Sequence, residues 1–171
     1  FNNHLNYLFD ADRSVANDAV NQLVKRIREI RENDMLFLHD IIVQFKPDSF
    51  VVHQGGPDRL EALYANTYRS SRYGADFWRE QFDADFKLRL YPQAAFANSQ
   101  QMPQGDLFPL LLKSTTDENM VIAALLDAES MFRTFDSRTA GYFYMLDESG
   151  RILFGSDPSR PFALSADRLD P

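Results

Sequence analysis

MVIAALLDAESMFRTFDSRTAGYFYMLDESGRILFGSDP, residues 120–158, carries most of the information about the fold. An apolar run of β-forming character, residues 121–126, stops at Asp127. A short amphipathic segment at helical spacing follows, with Asp127 in the N-cap position that Asp favours. Residues 141–146 then alternate, and Asp147-Glu148-Ser149-Gly150 turns the chain tightly into residues 151–154. Gly150 supplies the positive φ that a short hairpin with a bulge requires. The reading is strand, helix, strand, turn, strand. It predicts residues 121–126, 141–146 and 151–154 as adjacent or near-adjacent strands of one sheet.

Upstream of this stretch the pattern remains that of a sheet. Residues 107–114 predict a strand in which Pro109 demands an edge or a strand start, and residues 115–119 turn it into the run at 120. The polar segment 98–105 reads as a loop. Residues 87–91 alternate, with Leu88 and Leu90 to one side and Lys87, Arg89 and Tyr91 to the other. Leu60, Leu63, Tyr64, Thr67 and Tyr68 line one face of a helix predicted over residues 58–73, with Asp58 as an early acidic residue and Gly74 as its stop. Residues 49–53 predict a short strand broken at Gly55-Gly56-Pro57. Those glycines lack the Lys-Ser/Thr neighbours of a phosphate loop, so they read as a turn.

The first 45 residues hold neither Gly nor Pro. Leu5, Leu8, Phe9, Val15, Val20, Leu23, Ile27 and Ile30 form the apolar stripe of one long helix over residues 1–31. Lys25–Glu29 and Arg28–Glu32 are i,i+4 pairs, and Lys25, Arg26, Arg28 and Arg31 make a solvated basic face. After Asn33-Asp34, residues 35–45 are apolar on most sides and predict a second helix packed on a sheet, stopped by Pro47. The whole is one domain of the α+β class. A helical region, 1–45, precedes a core, 46–171, built on a largely antiparallel sheet of about five strands flanked by helices.

Composition excludes several functions. A net charge of -7, from 25 acidic against 18 basic residues, repels phosphate backbones and argues against nucleic acid as a partner. Without cysteine the chain has no disulfide, thiol nucleophile or thiolate metal site. His4, His39 and His53 lie far apart, without the spacing of a zinc site or of paired carboxylates. No nucleophile elbow, phosphate loop or dinucleotide-binding glycine pattern is present, so neither an enzyme nor a cofactor is expected. No stretch reaches the roughly 18–20 apolar residues of a membrane span.

Candidate binding residues follow from chemistry. Asp127 is either a helix cap or a pocket acid, and the two roles can coexist. Tyr142 and Tyr144 share one strand face, with Phe143 and Met145 on the other. A tyrosine pair lines a pocket well, because each ring offers apolar area and a hydroxyl; core or half-exposed sheet positions are the alternative. Arg89, Tyr91 and Lys113 can donate to a carboxylate, although strands also carry such residues merely to face water. Trp78, the only tryptophan, is an aromatic anchor or a pocket wall.

The strand ending in Asp127, the helix after it and the hairpin around Asp147-Glu148-Ser149-Gly150-Arg151-Ile152-Leu153 resemble the closing half of Cache domains. These are the PAS-like extracytoplasmic sensor modules of bacterial membrane receptors. The resemblance covers about a quarter of the chain closely and the rest in outline. It implies an extracytoplasmic domain with membrane helices and an output domain beyond this sequence, the output being a histidine kinase, a diguanylate cyclase or a chemotaxis domain. It implies a small polar ligand between the sheet and residues 75–95, near Asp127, Tyr142 and Tyr144, with Asp127 meeting a ligand ammonium. It also implies a homodimer through the N-terminal helix. The compact Arg-x-x-Trp-Tyr run of amino-acid-binding members is not matched at residues 72–79. A ligand-free dimerisation or protein-interaction module is the alternative function.

Overall fold

The computed structural model describes residues 13–32, 37–46, 49–136, 144–146, 150 and 152–155. Its elements run α1 (Arg13–Glu32), β1 (Leu38–Phe45), β2 (Phe50–His53), β3 (Gly56–Arg59), α2 (Leu60–Asn66), α3 (Ala75–Glu80), β4 (Leu88–Leu90), β5 (Ala94–Ala97), β6 (Pro103–Lys113), β7 (Met120–Asp127), α4 (Ala128–Asp136), β8 (Tyr144–Leu146) and β9 (Ile152–Gly155). Seven strands form one antiparallel sheet in the order β3-β2-β1-β7-β6-β4, with β5 beside β4 on the same flank of β6. The α+β class therefore holds, with seven strands where about five are expected from sequence.

Alternation along β7 builds a three-layer molecule. Val121, Ala123 and Leu125 point into a core shared with Leu60, Leu63 and Tyr64 of α2 and Trp78 of α3. Met120 and Ile122 face the opposite side, where Val24 and Ile27 of α1 pack on Val43 and Val52. On that same side Leu126 joins Phe108, Ala128 and Met131 beneath α4. With both faces covered, the central strands read as nearly continuous apolar runs.

That burial explains the main correction. Residues 38–45 form the central strand β1, not a second helix. Ile41, Ile42 and Val43 are β-branched and stiff at χ1, and apolar residues on both faces erase the period of two that marks a strand. α2 is likewise short: it ends at Asn66, because Arg69 leaves the helix to pair with Ala97. Asp58 belongs to β3, and Gly74 precedes α3 as its N-cap rather than stopping α2. Gly56 and Pro57 lie within β3, an edge strand where a missing N–H is tolerated.

The segment 98–105 is a turn only in part, since Pro103 already begins β6. Pro109 sits buried in the middle of β6, not at an edge or start. Its carbonyl accepts the Tyr91 N–H at 2.8 Å. A strand residue points its nitrogen the same way as its carbonyl, so the Pro109 nitrogen faces Tyr91 and cannot return the bond. The pairing of β4 with β6 ends there, at Leu90–Leu110.

The hairpin β8–β9 forms as expected, with Gly150 at φ 79°. It is a separate two-stranded sheet, so β7 is not its neighbour in the ladder. Met145 packs on the cluster under α4, which ties the hairpin to the domain by side chains instead. Residues 1–12, Asn33, Asp34, Pro47, Tyr142, Phe143 and 147–149, on which several expectations fall, lie outside the described residues.

Candidate functional site

The face of β1 that meets α2 carries polar groups where a core strand would carry none. Asp40, Ile42 and Gln44 alternate onto that face, and Asp40 and Gln44 are wholly buried. Tyr64 and Tyr68, one helical turn apart, come down on them from α2 and the residues just after it. The Tyr68 hydroxyl donates to Asp40 Oδ2 at 2.6 Å, and Gln44 Nε2 donates to the Tyr64 hydroxyl at 2.7 Å.

Asp40 is a saturated carboxylate. Its Oδ1 accepts the N–H of Ile41 at 2.8 Å and of Gln54 at 3.3 Å, and its Oδ2 also meets His53 Nδ1 at 3.2 Å. The Gly55 N–H points at that same Nδ1 from 3.3 Å. The two contacts require opposite tautomers. A bare nitrogen lone pair against a buried carboxylate is repulsive, so the proton sits on Nδ1 and goes to Asp40. Nε2 is the ring's other nitrogen, on a side chain 12% exposed. Gly55 is constrained here: a Cβ would lie 2.7 Å from His53 Cε1.

Burial first, and the charge of Asp40 second, push the Tyr68 hydroxyl far above the usual phenol range, so it remains a donor. Burial raises Tyr64 in the same way. Gln44 is the discord: buried as it is, its Oε1 has no hydrogen-bond partner among the described residues. Turning the amide over would satisfy the oxygen and strand the nitrogen instead. A buried orphan of this kind costs about 1–3 kcal/mol.

Two β-bulges extend the polar face to the end of the sheet. His39 is the extra residue where β1 shifts register between Leu38 and Asp40. Gln104 is its counterpart in β6, skipped between Phe96–Gly105 and Ala97–Pro103, with Gly105 at φ 111°. Bulges re-aim side chains, and these two lie beside each other across the end of β7, His39 opposite the Leu125–Leu126 step and Gln104 beside Gly105. Burial lowers the His39 pKa, opposed by the nearby charges of Asp40 and Asp127. The Tyr68 ring lies edge-on to both His39 and His53, at 5.8 and 6.4 Å.

Sequence singled out other residues. Asp127 caps α4, its Oδ1 accepting the Ser130 N–H at 2.6 Å. Trp78 is a buried anchor, stacked on Tyr64 at 4.3 Å and donating from Nε1 to the Tyr73 carbonyl. Tyr91 meets Phe77, which meets Trp78, and its hydroxyl donates to Gln81. Arg89 donates to the Asp85 carbonyl and lies over the Phe86 ring, and Lys113 does the same with the Ala84 carbonyl and that ring. Tyr144 is half-buried in β8, and Tyr142 is outside the described residues. Contacts thus join Trp78 to Tyr91, while Asp127, Arg89 and Tyr144 serve separate elements.

A helix over residues 35–45, as the sequence predicts, conceals what Asp40 and Gln44 share with Tyr64, Tyr68 and the two histidines. On a strand, Asp40-x-Ile42-x-Gln44 is a polar stripe at period two, and His53 does have a carboxylate partner. Among the described residues, no three His, Cys, Asp or Glu side chains are grouped to hold a metal ion. No protein-family model matches the chain, and a comparison with curated proteins finds no match.

Proposed function

We propose that this chain is a ligand-sensing, PAS-like domain on the extracytoplasmic side of a bacterial membrane receptor, as its resemblance to Cache domains implies. The observation that supports a ligand most directly is Gln44 Oε1, a wholly buried acceptor with no donor. It lies between the sheet and α2–α3, in a layer lined by Tyr64, Trp78 and Phe82. A small molecule bringing an N–H or O–H to that oxygen removes an existing penalty, so part of its affinity comes from relief of the apo state. Trp78 and Tyr91 belong to the same layer and would form its aromatic wall.

The test is a thermal-shift screen of small polar metabolites. A ligand should raise the melting temperature of the wild type but not of the Gln44→Met/Tyr64→Phe double variant. A ligand whose stabilisation survives that variant, Asp127→Asn and Tyr144→Ala alike would overturn both this site and the one expected from sequence.

One observation favours a ligand-free interaction module instead. The α2–α3 layer is closely filled by rings, with Tyr64 on Trp78 at 4.3 Å and Tyr73 on Phe77 at 4.6 Å. A blank screen combined with partner capture on the outward face of α1 would favour that reading. In either case the apolar stripe of Val20, Leu23, Val24 and Ile27 is used against the sheet. A homodimer through the N-terminal helix would therefore use another face of α1 or residues 1–12.

A further inference from the structure

The C-terminal end of α1 is held differently from its middle. Val24 and Ile27 pack on the sheet, whereas Ile30, one turn further, is 39% exposed. Beside these turns, Asn21, Val24, Lys25, Arg28, Glu29 and Glu32 border an open groove of about 630 Å³ against the β2–β3 turn. Apolar packing does not reach across it. Arginines do: Arg28 Nε donates to the Gln54 carbonyl at 2.8 Å, and Arg31 donates to Gln54 Oε1. Arg28 is thereby drawn away from the i,i+4 pairing with Glu32 expected of it, while Lys25 keeps its pairing with Glu29 at 3.9 Å.

Gln54 faces the buried site with its backbone N–H. That N–H donates to Asp40 Oδ1 at 3.3 Å, and the other oxygen of the same carboxylate accepts the Tyr68 hydroxyl at 2.6 Å. One residue in a two-residue turn thus has two bonds to α1 and one to the carboxylate that holds Tyr68. We propose that Gln54 is a coupling residue: the docking of the last turn of α1 depends, through it, on the state of the buried Asp40–Tyr68 hydrogen bond. A disturbance of that bond, by a ligand or a substitution, loosens Gln54 and frees Arg28 and Arg31 together. Coupling of this kind is reciprocal. It is a property of the fold and stands or falls independently of the sensor reading.

The test is residue-resolved amide hydrogen exchange on the whole chain. Tyr68→Phe keeps the ring and removes a hydroxyl that makes no hydrogen bond to α1. It should speed exchange at residues 28–32 about fivefold or more relative to residues 122–125 of β7, which report global opening. Gln54→Ala should do at least as much, and the double variant no more than Gln54→Ala alone. Unchanged exchange at 28–32 in Tyr68→Phe, or effects that multiply in the double variant, overturns the proposal. Should Tyr68→Phe fail to fold, the reverse direction decides. Arg31→Ala, an exposed change, should speed exchange of the Gln54 amide by a similar factor, and an unaltered Gln54 amide overturns the coupling.

Discussion

Replacing Gln44 and Tyr64 together should make this protein more stable, although the change deletes a buried hydrogen bond. Gln44 is wholly buried and makes one bond, from Nε2 to the Tyr64 hydroxyl at 2.7 Å, while Oε1 makes none. The bond contributes about 1 kcal/mol net, and the orphan oxygen costs about 1–3 kcal/mol. Gln44→Met with Tyr64→Phe removes both at nearly constant volume and keeps the ring that stacks on Trp78. The balance is about 0–2 kcal/mol in favour of the variant. In a chain of 171 residues that raises the melting temperature by up to about 8 °C, at roughly 2–4 °C per kcal/mol. Tyr64→Phe alone should do the opposite, because it strands the amide nitrogen as well and costs about 1–3 kcal/mol. Urea denaturation of the wild type, both single variants and the double variant gives the coupling directly. A double variant less stable than Tyr64→Phe alone would refute the orphan and mean that Oε1 is satisfied in solution.

Three further outcomes follow from the site. Asp40→Ala removes the acceptor of four hydrogen bonds from a buried pocket and should cost about 3–5 kcal/mol in urea denaturation, whereas Asp40→Asn, which can still accept from Ile41 and Gln54, should cost less than half as much. Asp127→Ala should destabilise by about 0.5–2 kcal/mol through loss of the α4 cap, and Asp127→Asn by only a few tenths, measured the same way. Stability should fall as the solution is acidified. His39 titrates lower in the folded protein than its ordinary value of 6.5, so below that pH the unfolded chain binds the extra proton first. The contribution is whole above the unfolded value and is lost as pH falls through the folded one. His39→Gln should flatten that slope in a pH series of melting curves; an unchanged slope would remove His39 as its source.

What the sequence concealed traces to β1. Strands on the flanks, such as β4, and the helix cap at Asp127 were legible because the flank meets water or because capping is local chemistry. Residues 41–43 are apolar toward both α1 and α2, so periodicity could not separate strand from helix, and β-branching was the remaining clue. Misreading that strand hid the buried site, because Asp40 and Gln44 share a face only at period two. The bulges at His39 and Gln104 are properties of strand register, which no single segment reveals. Pro109 misled for a related reason: its missing donor falls opposite Tyr91, at the gap between two short partner strands.

That gap bears on how copies of this protein can meet. One edge of the sheet is β3, four residues long and interrupted by Pro57; the other is divided into β4 and β5, of three and four residues. A long, regular edge is a template for another chain's backbone, and short or proline-bearing edges deny it. Neither flank here offers the unbroken row of amides and carbonyls on which a foreign strand would grow. At high concentration this sheet is protected against runaway edge-to-edge stacking.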